Sequence, residues 1–210
     1  MTVSCICKDE RSVAAFDSLE KLSVSTCPTM IESGSLDNLI GSQKLKQLLI
    51  CIHPLCCDYL PRNWKIPQLR SESLEVLGID TIPYTINNAS LIMQYVPNLK
   101  VLDMRSLPFT DSDVEFLTRN CRSLQYLLIE HGEITNNSLE SLLNLPLLEV
   151  LLLIGNSAVT VEAMNDFIEK APSLRVLSCN LDVIETFVTR ANRVQNCLHF
   201  AFVRVNRVPQ

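Results

Sequence analysis

The segment from Cys51 to Cys57 holds the densest group of potential metal ligands, namely Cys51, His53, Cys56 and Cys57. Thiolates and imidazoles brought together in this way could bind zinc. Zinc sites of this kind use paired CxxC spacing with a second ligand pair further along the chain, and neither is present here. We therefore expect no metal site, and an enzyme built on this loop is kept only as the alternative to be tested by metal analysis.

Other kinds of catalysis also lack their usual residue patterns. His131 and His199 each stand alone in the sequence, so no serine or cysteine has an evident base with an orienting acid beside it. The five glycines are scattered and form no phosphate-binding loop. The sequence predicts a protein that is not an enzyme and that carries no cofactor.

Composition restricts the partners and the compartment. The net charge of -5 argues against nucleic acid as the main partner. The most apolar segment, Leu142 to Ile154, is interrupted by Asn144, Pro146 and Glu149, so no membrane span is expected. Nine cysteines without a repeated spacing indicate reduced thiols. We expect a soluble monomer in the cytosol or the nucleus.

An internal repeat supplies the elements that must position any functional residue. The phrase is an apolar residue, two variable residues, Leu, one variable residue and another apolar residue. Its starts lie 26, 29, 25, 25, 24 and 26 residues apart, a period typical of solenoids. The seven copies are LEKLSV from Leu19, LKQLLI from Leu45, LEVLGI from Leu74, LKVLDM from Leu99, LQYLLI from Leu124, LEVLLL from Leu148 and LRVLSC from Leu174.

Each unit combines a strand with a helical pattern. In the phrase from Leu124, Leu127 and Ile129 should point inward and their neighbours outward. A helical pattern precedes it, with Val114 and Leu117 on one face and a capping residue at Thr110 or Asp111. Similar patterns are Leu139, Leu142 and Leu143 after Thr135-Asn136-Asn137, and Met164, Phe167 and Ile168 after Thr160.

The phrase, its period and connectors such as Asn120-Cys121-Arg122-Ser123-Leu124 resemble the cysteine-containing leucine-rich repeats of F-box/LRR proteins, within the ribonuclease-inhibitor-like superfamily. The resemblance implies an α/β solenoid, a horseshoe of about seven or eight repeats with parallel strands on the concave face and helices on the convex face. The ninth repeat position, normally Asn or Cys bonding to the turn, varies here and is Asn only at Asn156.

We expect one domain over residues 1–210. Residues 1–18 would form a partial repeat with a strand at Thr2 to Cys7, residues 19–182 seven repeats, and residues 183–210 a closing helix and strand. Only eighteen residues precede Leu19, so no F-box is visible. A truncated product, an isoform or a relative without an F-box would explain this. The basic segment after Glu185 is interpreted as a solvated cap or, alternatively, as a docking edge for an acidic partner.

The concave face is the expected partner-binding surface. Its outward positions are the third, fifth and seventh of each phrase, where an apolar group lies beside charged residues. The predicted binding residues are Tyr126, Leu128, Glu130, Val150, Leu152, Ile154, Asp103 and Arg105. The longest interval suggests a second candidate on the rim of residues 54–73, with Tyr59, Arg62 and Trp64, although these residues could instead pack as an irregular helix.

These observations predict a protein-protein interaction module. By resemblance, its role would be substrate recognition in an F-box-type ubiquitin ligase, with ligase components as further partners if a longer isoform carries the F-box. The alternative is an adaptor or scaffold without a ligase link.

Overall fold

The computed structural model describes residues 2–4, 19–26, 44–52, 71–80, 96–105, 109–156, 158–181 and 184–185. Within them, nine strands form one sheet whose spatial order is the order along the chain. The first eight strands pair in parallel. Their bounds are β1 Thr2–Ser4, β2 Lys21–Thr26, β3 Gln47–Ile52, β4 Val76–Asp80, β5 Val101–Arg105, β6 Tyr126–Glu130, β7 Val150–Ile154, β8 Val176–Leu181 and β9 Ile184–Glu185.

The predicted α/β fold with a parallel sheet is therefore confirmed. Equivalent residues of the repeated phrase lie side by side, so that Leu127 pairs with Leu102 on one neighbouring strand and with Leu151 on the other. All three side chains are fully buried. The expected strand at the N-terminus is present over Thr2–Ser4, which pairs with β2.

The same backbone contact joins one unit to the next. The carbonyl of Lys100, one residue before β5, accepts hydrogen bonds from the N–H groups of Gln125 at 2.8 Å and Tyr126 at 3.0 Å. The carbonyl of Glu149 does the same for Arg175 and Val176. This contact fixes the register of each strand against the previous one, because it is made where the strand begins.

Three helices lie in the described residues, α1 at Asp111–Asn120, α2 at Asn136–Leu142 and α3 at Val161–Lys170. Each begins after a threonine whose hydroxyl accepts a backbone N–H of the first turn. Of the two caps that the sequence allowed for α1, Thr110 and Asp111, the structure has Thr110. At α1 the cap is reciprocal, since Asp113 Oδ2 accepts the backbone N–H of Thr110 at 2.9 Å.

Successive helix starts are also bonded to each other. The carboxylate of Asp111 accepts the backbone N–H of Thr135 at 2.8 Å and its hydroxyl at 2.6 Å, and it also accepts the hydroxyl of Ser138. One unit later, Asn136 Oδ1 accepts the backbone N–H of Thr160 at 2.9 Å. The first residue of one helix therefore stabilises the cap of the next helix.

The core lies on one face of the sheet. Buried helix side chains, among them Val114, Leu117 and Phe167, belong to the same cluster as the inward strand residues Leu127 and Leu151. Cys121 lies in this cluster and is fully buried, where it packs as a small apolar side chain. The sequence predicted that Leu143 belongs to the same helical pattern as Leu139 and Leu142. In the structure Leu143 caps the end of α2 instead, and 36% of its surface is exposed.

Asn156 performs the turn-bonding role expected at the ninth repeat position. Its Nδ2 donates to the carbonyls of Ile129 and Ile154, both at 3.1 Å. Gly132 lies against it, and an added Cβ there would come within 2.7 Å of Asn156 Oδ1 and 3.0 Å of the carbonyl oxygen of Phe109. The turn after β6 therefore has no room for a side chain at this glycine.

The predicted start of the closing helix is wrong. The closing helix was expected to begin at Val183, but Ile184–Glu185 form β9, which pairs antiparallel with β8 through Leu181 and Ile184. A β-branched isoleucine beside the unpaired edge of β8 favours an added strand over a helical turn. The remainder of the expected closing helix and strand lies outside the described residues, as do residues 54–70 of the rim.

Across the part of the chain that the structure describes, no helix combines the length and the apolar character needed to cross a membrane.

Candidate functional site: the open sheet face

The sheet has a second face, opposite the core, which carries the third, fifth and seventh residues of each phrase. We call this surface the open sheet face. The three described helices place their buried side chains in the core on the other side, and two buried residues of the open sheet face, Leu128 and Val150, do not belong to that core cluster. The face therefore combines some internal burial with accessible side chains.

A charged group occupies the middle strands of the open sheet face. Arg105 binds Asp103 with both ends of its guanidinium, Nε to Oδ1 at 3.0 Å and Nη2 to Oδ2 at 3.2 Å. The Asp103 side chain is only 3% exposed, whereas 30% of the Arg105 side chain is exposed. A buried carboxylate is tolerated here because a bidentate, charge-assisted pair replaces its water.

The pKa values of this pair reflect burial and near neighbours. Burial raises the pKa of Asp103 above its ordinary value, although the hydrogen bond from Arg105 opposes this, and the nearby charges of Asp80 and Glu130 add to the rise. Burial acts to lower the pKa of Arg105, but the carboxylates outweigh it and the pKa is raised. Three carboxylates thus act on one guanidinium, and the group has a formal charge of -2.

Tyr126 joins the charged group to the apolar side of the face. Burial raises the pKa of Tyr126 to about 12, and the charge of Asp103 contributes to the rise. In register, Tyr126 pairs with Val101 on β5 and with Val150 on β7. Its phenol is therefore protonated at neutral pH and stands between a charged and an apolar surface, an environment that suits an amphipathic side chain.

The apolar side of the face lies on β6, β7 and β8. Leu128 and Val150 are 4% and 5% exposed, so a partner could touch little of either. Leu152 and Ile154 on β7 are half-buried, and Val176 on β8 is also partly exposed. The accessible apolar surface is therefore centred on Leu152 and Ile154.

Strand register sets the distance between charged and apolar groups. Glu130 pairs directly with Ile154, so the two lie on neighbouring strands about 4.8 Å apart. Asp80 pairs directly with Arg105 on the other side of the group. From β4 to β7, the seventh residue of the phrase is therefore an acid, a base, a second acid and an apolar residue in turn, namely Asp80, Arg105, Glu130 and Ile154.

The predicted site residues of this face are thus brought together. Tyr126, Glu130, Leu152, Ile154 and Arg105 offer partly exposed side chains, whereas Leu128, Val150 and Asp103 are buried and support them. The rim candidates Tyr59, Arg62 and Trp64 lie outside the described residues.

Sequence reasoning did not select Asp80, although its place as the seventh residue of its phrase was visible. The signal that identifies it is its register opposite Arg105, since the pKa of that guanidinium responds to its charge. Cys51, on β3, pairs with Asp80 on β4. Burial raises the pKa of the Cys51 thiol, and the charge of Asp80 adds to the rise. The neutral thiol is therefore favoured at this position.

The described residues contain no group of three or more His, Cys, Asp or Glu side chains that could hold a metal ion. His53, Cys56 and Cys57 lie outside them. Comparison with known proteins finds no matching family model and no significant match among curated proteins.

Proposed function

We propose that this chain is a leucine-rich-repeat solenoid, curved as a horseshoe, that binds another protein on its open sheet face. The sequential order of the parallel strands supports this architecture, together with unit-to-unit contacts that recur about every 25 residues. In a solenoid of this type each unit buries its apolar side against its neighbours. The strands would then lie on the concave side.

The observation that carries the proposed function is the composition of the open sheet face. Half-buried Leu152 and Ile154 stand one strand away from the charged group formed by Asp80, Asp103, Arg105 and Glu130. Accessible apolar surface bordered by charged and aromatic side chains is typical of protein-protein interfaces, in which Tyr and Arg are enriched.

Within this proposal, the leading biological role is substrate recognition for an F-box-type ubiquitin ligase, which follows from the resemblance of the repeats to those of F-box/LRR proteins. The partner would then be a protein destined for ubiquitination. The second candidate is an adaptor that binds in the same way without affecting the lifetime of its partner. The cytosol or the nucleus is the proposed compartment.

Affinity purification from the native cells under proteasome inhibition tests the proposal. The variant Leu152→Asp/Ile154→Asp places two charges on the accessible apolar surface. The matched control is Leu147→Asp, because Leu147 is 48% exposed and precedes β7 outside the open sheet face. Circular dichroism must show that each variant is folded before capture.

A partner that is captured by the parent chain and by Leu147→Asp, but not by the double variant, is the expected result. Its dissociation constant should then be measured with purified proteins. Cullin-ligase subunits in the same fraction would support the ligase role, and their absence would favour the adaptor. Equal capture by all three proteins would refute binding on this face.

A further inference from the structure

The charge of the open sheet face restricts what kind of partner it can accept. Arg105 is held by Asp103 in a bidentate pair whose carboxylate is nearly inaccessible. To a partner this pair is close to neutral, because its two charges are within hydrogen-bond distance. The remaining formal charges belong to Asp80, which is exposed, and to Glu130, whose side chain is 29% exposed.

Among the described residues of this face, no other charge balances these two carboxylates. His131 Nε2 lies 3.8 Å from Glu130 Oε1, and its ring is 65% exposed, so solvent weakens this contact. Lys21 is the nearest lysine in the third-residue row of the face, but it lies on β2, two strands from Asp80, and four residues earlier in the phrase. These separations are about 10 Å across the strands and about 13 Å along them, each longer than the Debye length of about 8 Å in physiological salt.

The apolar contact lies at a defined distance from this negative charge. Glu130 and Ile154 are direct neighbours across β6 and β7, and Leu152 precedes Ile154 by two residues on the same face of β7. A ligand that crosses the strands can reach both groups with side chains about 5 to 7 Å apart. Such a spacing corresponds to residues i and i+2 of an extended segment, or to i and i+3 or i+4 of a helix.

We propose that the open sheet face takes a peptide segment in which a lysine or arginine stands two to four residues from a large apolar side chain. The cation lies on Glu130, beside the Asp103–Arg105 pair, with Asp80 adding negative charge from β4, and the apolar side chain packs on Leu152 and Ile154. This inference rests on the proposed function, which it extends by naming the chemistry of the partner. Acidic segments are disfavoured because they would meet the two carboxylates.

The experiment uses the full chain and a phage-displayed library of random 12-residue peptides. Selected peptides are synthesised, and their dissociation constants are measured at low and at physiological salt. Three variants of the chain are compared. Leu152→Ser removes the apolar contact, Asp80→Asn/Glu130→Gln removes the two charges, and Glu162→Gln/Glu169→Gln makes the same change in net charge on the exposed surface of α3.

Selected peptides should contain the basic and apolar pair at the stated spacing. The charge variant should weaken binding about tenfold, corresponding to about 1.4 kcal/mol, and the α3 control should leave it unchanged. Binding to the parent chain should also weaken at higher salt, whereas the charge variant should have lost most of this dependence. The charge variant should fold, because it removes like-charge repulsion around Asp103 while leaving the Asp103–Arg105 pair intact.

The possible failures are distinguishable. If every selected peptide binds the Leu152→Ser variant as tightly as the parent chain, the face is not a binding surface. Both the proposed function and this inference are then wrong. If the peptides depend on Leu152 but lack basic residues, or bind the charge variant as tightly as the parent chain, the proposed function stands and only the charge inference is overturned.

Discussion

Three leucines in the middle of the sheet should respond to truncation in a graded way. Leu127 is fully buried in the core, Leu128 is 4% exposed on the open sheet face, and Leu152 is half-buried on the same face. Each Leu→Ala change removes three carbon groups, which corresponds to about 2.4 kcal/mol of transfer free energy when all are buried, at about 0.8 kcal/mol per group.

The structure predicts how far each variant departs from that value. At Leu127 the neighbours Leu102 and Leu151 are fully buried and would leave a closed cavity, so the expected loss in the free energy of unfolding is about 3 to 5 kcal/mol. At Leu128 the space would border solvent and largely avoid the cavity penalty, giving about 2 kcal/mol. At Leu152 only a minor part of the surface is already exposed, and the loss should be about 1.5 to 2 kcal/mol.

Urea unfolding of the full chain, followed by circular dichroism, measures all three losses. The m-value must remain constant across the series, because a change would show that the compactness of the folded or unfolded state had altered. An equal loss for Leu127→Ala and Leu152→Ala would refute the assignment of the two faces, as would a larger loss for Leu128→Ala than for Leu127→Ala.

Three further variants test particular contacts. For Asp111, partial burial acts to raise the pKa, but the hydrogen bonds from Ser138 and Thr135 outweigh it and lower the pKa, so its charged form stabilises the fold. Asp111→Asn should lower the free energy of unfolding by about 1 to 2 kcal/mol above about pH 5. The difference from the parent should shrink as the pH falls below about 3.9, because the parent carboxylate is then protonated as well. An undiminished difference at low pH would show that the charge of Asp111 does not stabilise the start of the next helix. Subtracting the ultraviolet pH titration of Tyr126→Phe from that of the parent should isolate one phenol with a pKa of about 12, whereas a phenol titrating near 10 would show that Tyr126 is accessible to water. Asn156→Ala should cost about 1 to 3 kcal/mol in urea unfolding, since two carbonyls lose their amide donor, and a neutral result would mean that these bonds do not stabilise the turn.

Much of the fold could be predicted because its signals are local. The apolar phrase recurs with the alternation of a strand, and Thr110, Thr135 and Thr160 precede helical patterns at the positions that cap them. Alternation also placed Leu127 and Ile129 in the core correctly. Each of these inferences needs only residues a few positions apart, and the repeat makes the same pattern recur from one unit to the next.

Burial on the open sheet face could not be predicted, because it depends on neighbouring strands. Asp103 and Arg105 are two residues apart on one strand, so the sequence places them on the same face, but it does not show that Asp103 is almost inaccessible or that Asp80 lies opposite Arg105. Leu128 and Leu152 occupy the same phrase position, yet one is buried and the other is half-buried. At Ile184 a short pattern predicted a helix, and the free edge of β8 formed a strand instead.

The sequence by itself therefore determined the repeating unit, its caps and the side of the sheet on which each residue lies, since these follow from backbone periodicity and local hydrogen bonding. Only the tertiary structure decided which of the residues facing away from the core remain accessible and which charges act on one another. Those properties depend on contacts between residues about 25 positions apart, whose distance and shielding from water are set by the packing of one strand against the next.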